Sequence, residues 1–243
     1  MGRTLSIGDI HGGLKALKQL LHDKVKVTTE DTIIFLGDYV DGWSDSANVV
    51  SYLIELAKDF DCIFIRGNHD DLTHQYLKSG AITDRWVIHG GQSSIDGYAK
   101  LSSKEIQQHL LFFSAMQNYY IDDQNRLFVH AGFTNLHGPE NEYYDTGFYW
   151  DRTLWEMAIS LDPNIEKTSE FYPKRLQIFD EIFIGHTPVT RIGESLPVNK
   201  ASIWNIDTGA AFKGSISALD INTKEVWQSD PVYTLYPNED GRN

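Results

Sequence analysis

The sequence predicts an α/β fold in which two sheets of mixed strand direction pack face to face beneath outer helices. Five short apolar runs each end in Asp, Asn or His, usually beside a glycine. That is how strands of an open α/β sheet present ligands at their C-terminal edge. In the first half the runs alternate with segments of helical periodicity, which implies mostly parallel pairing. In the second half short polar turns separate them, which implies antiparallel or mixed pairing.

The first run, Thr4-Leu5-Ser6-Ile7, leads into Gly8-Asp9-Ile10-His11-Gly12, and Leu14, Leu17, Leu20 and Leu21 then recur at helical spacing. Ile33-Ile34-Phe35-Leu36 leads into Gly37-Asp38-Tyr39-Val40-Asp41. The helix that follows carries Val49, Val50, Leu53, Ile54 and Ala57, with Ser44 to Ser46 as N-cap candidates. Cys62-Ile63-Phe64-Ile65 leads into Arg66-Gly67-Asn68-His69-Asp70. Ser102 with Glu105 forms a capping box opening a helix through Met116. Tyr119 to Ile121, a turn at Asp122 to Asn125, and Arg126 to His130 read as a hairpin ending in His130-Ala131-Gly132. Residues 134–180 are irregular and rich in aromatic and acidic side chains, an insertion suited to shaping a substrate site. Ile182-Phe183-Ile184 then leads into Gly185-His186-Thr187-Pro188. Ser202 to Ile206, Ser215 to Asp220 and Val226-Trp227 are the last strands, and the polar stretch 232–243 reads as a loose tail.

At 243 residues and 41% apolar content the chain can build one sizeable core. Motifs spread from Asp9 to His186 must converge, so a single domain over 1–243 is expected. A formal net charge of −13 excludes a nucleic-acid or anionic-membrane partner, which would attract a basic surface. Positive charge for an anionic substrate must then sit at one place, and bound metals would supply it. Cys62 is the single cysteine, placed in an apolar strand as a small buried hydrophobe. No stretch has the length of a membrane span and no signal-peptide pattern precedes the first strand, so a cytoplasmic location is expected.

Taken singly, each motif has a plain structural account. Gly-Asp after a strand is a common turn, and Asn68-His69-Asp70 could simply cap a helix. Five such turns carrying metal-competent side chains to one edge point instead to a metal centre. Oxygen and nitrogen donors without sulfur suit hard or borderline divalent ions. The Asp38 carboxylate can bridge two ions, with Asp9 and His11 completing one site and Asn68, His130 and His186 the other. Two metals roughly 3.5–4 Å apart can share a water, lower its pKa and polarise a phosphoryl oxygen.

Together these five motifs resemble the motif series of the phosphoprotein phosphatases, the serine/threonine branch of the calcineurin-like metallophosphoesterases. The resemblance runs through Asp207-Thr208-Gly209. It implies a central β-sandwich flanked by helices, the metal ligands Asp9, His11, Asp38, Asn68, His130 and His186, and two divalent ions. Manganese is the expected metal, with iron, zinc, nickel and magnesium as alternatives. His69 is implied as the general acid, oriented by Asp41, a pairing in which the carboxylate fixes the imidazole tautomer. Trp150-Asp151-Arg152 resembles a phosphate-clamping segment and makes Arg152 the candidate clamp, although a surface ion pair would also account for it. Arg66 is expected in a structural ion pair.

The chain departs from the family where Asp-Arg-Gly usually ends the second motif, since it has Asp41-Gly42-Trp43. One phosphate-binding arginine is missing. Arg85, Arg175 and Arg191 are candidates to replace it, and Trp43 could instead stack on a base or aromatic group. His22, His74 and His109 fall on helices as surface or half-buried residues, while His89 and His137 lie in loops that could reach the site. The expected activity is hydrolysis of phosphomonoesters, on a phosphorylated protein or a small phosphate ester, by direct attack of a metal-bridging water as in a bacterial serine/threonine phosphatase. A symmetrical dinucleoside polyphosphate hydrolase is the enzymatic alternative, and a non-catalytic metal-stabilised binding protein the alternative from another class.

Overall fold

In the computed structural model, which describes residues 2–242, the strands are β1 (Thr4–Ile7), β2 (Thr32–Phe35), β3 (Asp61–Phe64), β4 (Tyr119–Ile121), β5 (Arg126–Val129), β6 (Glu181–Ile184), β7 (Val198–Lys200), β8 (Ile203–Asn205), β9 (Ser217–Asp220) and β10 (Val226–Gln228). They form two five-stranded sheets, ordered β10-β9-β1-β2-β3 and β4-β5-β6-β8-β7. In the first, β1, β2 and β3 are parallel and β9 and β10 antiparallel. In the second, β5, β6 and β8 are parallel, with antiparallel strands at both edges. The expected fold, two mixed sheets flanked by helices, is the one observed.

Strand alternation explains the layers. Successive side chains point to opposite faces, and here both faces are buried. Ile34, Phe128, Phe183 and Leu219 meet between the sheets, with the Phe128 and Phe183 rings stacked at 4.8 Å. Their neighbours Leu5, Ile33 and Phe35 face the helices outside the first sheet, and Leu127, Val129 and Ile182 face those outside the second. The Ser46–Leu56 helix buries Val49, Val50 and Leu53 as its periodicity predicted, whereas Ile54 is half-buried and Ala57 lies exposed past its end. The Ser103–Ala115 helix opens on the expected capping box, Ser102 with Glu105.

Several local expectations change. Of the N-cap candidates over 44–46, Asp45 takes the position without a side-chain cap bond, and the Ser46 hydroxyl instead accepts from the Asp41 backbone N–H at 3.0 Å. Cys62 is only half-buried because β3 is an edge strand. His74 and His109 are buried, held by Ser114 and by Ser51 and Tyr98 respectively. Within 134–180 two α-helices form, Gly147–Trp150 and Thr153–Ser160, besides 3-10 turns at Pro139–Asn141 and Lys174–Leu176, and most of the α-helices' apolar residues pack on the second sheet.

The tail also departs from expectation through Arg242, Asn243 lying, like Met1, outside the described residues. Val232–Leu235 is helical, and Val232 and Tyr236 are buried. Tyr236 stacks on Trp43 at 5.5 Å and donates to Asp45 at 2.7 Å. Glu239 accepts from the backbone and hydroxyl of Ser44. An aromatic anchor and paired polar groups thus offset the entropy of ordering this polar stretch. No helix among the described residues is long and apolar enough to cross a membrane.

Candidate metal centre

The loops after β1, β2 and β3 and those after β5 and β6 meet at one end of the sandwich. Asp38 lies at their centre: its Oδ2 is 3.5 Å from His11 Nε2 and 3.4 Å from His130 Nε2. Asp9 Oδ2 is 3.7 Å from the same His11 nitrogen. On the other side, Asn68 Oδ1 is 3.2 Å from His130 Nε2 and 2.9 Å from His186 Nδ1. All six predicted ligand residues are brought together, and all are buried. Asp38 lies between an Asp9–His11 side and an Asn68–His130–His186 side and belongs to both candidate ligand groups.

The backbone is bent to achieve this. His11, Asp38, Asp41 and His186 all have positive φ, between 50° and 68°. Left-handed backbone at non-glycine residues is uncommon and tends to collect at functional sites. Gly185 has no room for a side chain, because a Cβ there would run into the Asp9 carboxylate. Asp70 ties the turns together, its carboxylate accepting from the backbone N–H groups of Asp38, Tyr39 and Gly67 at 2.8–2.9 Å.

Second partners fix the imidazole tautomers. His130 Nδ1 donates to the Leu36 carbonyl at 2.8 Å, and His11 Nδ1 lies 3.2 Å from the carbonyls of Val40 and Asp41. Each bond turns Nε2 toward Asp38, the arrangement metal-ligating histidines adopt. His186 turns Nδ1 toward Asn68 in the cluster, and its Nε2 is buried without a hydrogen-bond partner among the described residues.

The electrostatics carry the same signature. Burial and the Asp38 charge push the Asp9 carboxyl up to about 7. Burial alone would do the same to Asp38, but His130, His69 and His11 hold its carboxyl well below the usual range. Burial opposes a charge on His130, yet Asp38 raises that imidazole to about 10. A proton on its Nε2 thereby stands where a divalent cation would, to be displaced when metal binds. The donor set fits two divalent ions.

His69 and Asp41 form a second unit beside the first. His69 Nδ1 donates to Asp41 Oδ2 at 2.6 Å, and the ring meets His11 edge-on at 5.0 Å. Asp41 has no solvent exposure and also accepts from Trp86 Nε1 at 2.6 Å and Ser94 Oγ at 2.5 Å. Neither partner was visible in the sequence, since both come from a helical segment some forty to fifty residues away that carries no ligand motif. Asp207 was also missed. It follows β8 beside Thr208-Gly209, repeating the strand-then-Asp pattern, and it is buried and raised to about 8 by burial and Asp9.

A cleft of about 490 Å³ opens over both units. Four arginines line it, Arg85, Arg152, Arg191 and Arg242, with Trp150 and Phe212 among the apolar walls. Burial lowers the Arg152 pKa, and so does the charge of Arg191, Arg242 and Arg85. Arg152 therefore sits among other cations in a protein that is otherwise strongly acidic. His89 also lines the cleft, whereas His137 does not. Trp43 is fully buried, its indole donating to the Ala210 carbonyl at 2.7 Å, and cannot stack on a ligand. Arg175 is buried against the Phe133 carbonyl and Thr153, away from the cleft. Arg66 binds the Phe113 carbonyl and lies 3.8 Å from Asp71, the structural role expected of it.

Comparison with known proteins is consistent with this geometry. Residues 2–202 match the family described as calcineurin-like phosphoesterase. An asymmetrical bis(5'-nucleosyl)-tetraphosphatase, PrpE, of Oceanobacillus iheyensis is 26% identical over 234 residues, covering 90% of this chain and 88% of the relative. Serine/threonine-protein phosphatase 1 of Salmonella typhimurium is 24% identical over 219 residues, covering 88% of this chain and 90% of the relative. A solved structure described as a putative diadenosine tetraphosphatase superposes with a TM-score of 0.63 at 20% identity, over 93% of this chain and 92% of that one.

Proposed function

Since the chain belongs to the calcineurin-like phosphoesterase family, we propose that it is a two-metal hydrolase of dinucleoside polyphosphates. The observation that carries the substrate class is the cleft with four arginines around the metal centre. A phosphomonoester dianion needs few cations beyond the metals. A polyphosphate chain spreads charge along its length and draws on several guanidinium groups, each able to match two oxygens. Trp150 and Phe212 supply apolar surface for a base, and the cleft is large enough for a substrate with one. The relatives named as tetraphosphatases support this reading.

Asp9, His11 and Asp38 would hold one cation, and Asp38, Asn68, His130 and His186 the other. When bound, the pair supplies the Lewis-acid charge that polarises a phosphoryl oxygen and makes water nucleophilic at neutral pH. The protein's own groups then position and protonate. Arg152, with Arg85 and Arg191, orients the phosphate chain and neutralises its charge as the bond to the leaving oxygen breaks. His69, fixed through Nδ1 by Asp41, gives its Nε2 proton to that oxygen and becomes neutral. Trp86 and Ser94 hold Asp41 in place, so the ring keeps one orientation during the transfer.

The second reading is the serine/threonine protein phosphatase expected from the motifs. It is favoured by the Salmonella relative, similar over nearly the same span. A phosphopeptide, an aryl phosphate, an aryl phosphodiester and a dinucleoside tetraphosphate, each offered to manganese-loaded protein, separate the readings. Preferred cleavage of the tetraphosphate supports the first. Preference for the phosphopeptide installs the second, and silence on all four leaves a metal-stabilised binding protein.

A further inference from the structure

We propose that Arg242 replaces the arginine missing at Gly42 and is a phosphate-binding residue of the cleft. This rests on the phosphoesterase reading above and adds to it a residue that no motif contains.

The position is built, not incidental. Gly42 has φ +106° and Gly90 has φ +103°, and the Gly42 N–H donates to the Gly90 carbonyl at 3.1 Å. Two residues without side chains thereby face one another and leave a notch. The aliphatic stem of Arg242 lies in it: a Cβ at Gly90 would come within 3.0 Å of Arg242 Cγ, and one at Gly42 within 3.4 Å. An arginine at position 42 would meet that stem and the His11 carbonyl from a backbone conformation that side chains rarely adopt. The site accommodates one arginine, and it enters from the segment after Tyr236.

That segment is fastened on both sides of the notch. Trp43, next to Gly42, is the surface on which Tyr236 stacks. The Arg242 N–H donates to the Ala211 carbonyl at 2.9 Å, and its guanidinium lies over Phe212 at 5.4 Å. The Gly42-Trp43 departure therefore serves the tail at both residues: one makes room for the stem, the other anchors the strand of chain that brings it.

The charged end points at the chemistry. Arg242 Nη1 is 3.4 Å from His11 Nε2, within the ligand cluster, and no carboxylate forms an ion pair with it among the described residues. Its Nε is buried and has no hydrogen-bond partner among the described residues. A buried guanidinium donor without an acceptor is costly, and an anion between it and the metal centre would satisfy it. A phosphate group has the charge and the oxygen spacing to do so.

The test uses manganese-loaded protein, with inorganic phosphate as probe and calorimetry as readout. Arg242→Met keeps the stem in the notch and removes the charge. It should weaken phosphate binding by about tenfold or more, the loss of one charge-assisted hydrogen bond, with metal content unchanged. On an aryl phosphate, KM should rise more than kcat falls, and Arg242→Lys should recover part of both. Wild-type phosphate affinity in a folded, metallated R242M would overturn the proposal and leave Arg242 as a packing residue. Should R242M fail to fold, phosphate protection of wild-type Arg242 against phenylglyoxal, read by peptide mass spectrometry, decides: protection supports the proposal, and equal modification overturns it. Phosphate affinity is independent of which ester is turned over. An inert substrate panel would therefore sink the proposed activity without touching this result.

Discussion

Asp41 Oδ2 receives the Nδ1 proton of His69 and the indole proton of Trp86, each across 2.6 Å. One carboxylate oxygen thus fixes an imidazole on one side and is itself fixed on the other. Because Trp86 and Ser94 share the load, the orientation of His69 depends on side chains outside the ligand motifs.

His69→Asn should retain both metals and slow esters with poor leaving groups far more than activated aryl esters. General acids contribute about 10²–10⁴-fold, chiefly where the leaving oxygen needs a proton. Trp86→Phe should show the same substrate dependence in weaker form, because it loosens Asp41 without removing the acid. Rates on a series of aryl phosphates of graded leaving-group pKa, with metal analysis, check both. Equal loss across the series would assign His69 to positioning.

Asp38→Asn should lose metal from both sites together and with it most activity. The amide can offer one oxygen but not a bridging carboxylate, and His11 and His130 both face that oxygen. Metal stoichiometry by elemental analysis reads this directly; one metal lost and one retained would show that Asp38 serves a single ion.

Acid stability should depend on His109. Burial lowers its pKa to about 4, whereas an unfolded histidine titrates near 6.5. Between those values the unfolded chain binds the extra proton, so stability falls as pH drops from about 6.5 toward about 4. Urea midpoints across this range should decline less steeply in His109→Gln than in the wild type. An unchanged slope would place the acid sensitivity elsewhere, for instance at His74, which burial also lowers to about 4.

The candidate ligand residues were legible because metal chemistry restricts residue type and the strand edge restricts position. Asp9, His11, Asp38, Asn68, His130 and His186 satisfy both restrictions, and so does Asp207, which the same pattern would have found after β8. Trp86 and Ser94 satisfy neither; a tryptophan or serine in a helix is ordinary, and only the fold brings them to Asp41. Trp43 misled because an aromatic beside a catalytic motif suits a base as well as it suits a core. Arg242 was illegible for a different reason. It sits in a polar stretch without periodicity, and its role depends on a notch between two glycines distant in sequence. The layers of the sandwich were readable from alternation, whereas the half-exposure of Cys62 required knowing that β3 is an edge strand.

Asp9, His11, Asp38 and Asn68 follow strands of one sheet, and His130 and His186 follow strands of the other. The sandwich is therefore like a book whose pages are glued by Phe128, Phe183 and their neighbours and whose open edge closes on a clasp at Asp38. Cations there would act mechanically as well as chemically, holding the two pages at one spacing against thermal breathing. Chelation would leave the glued interior intact and release the edge, so amide exchange should quicken first in the loops after β2 and β5 and last in the paired cores of the sheets.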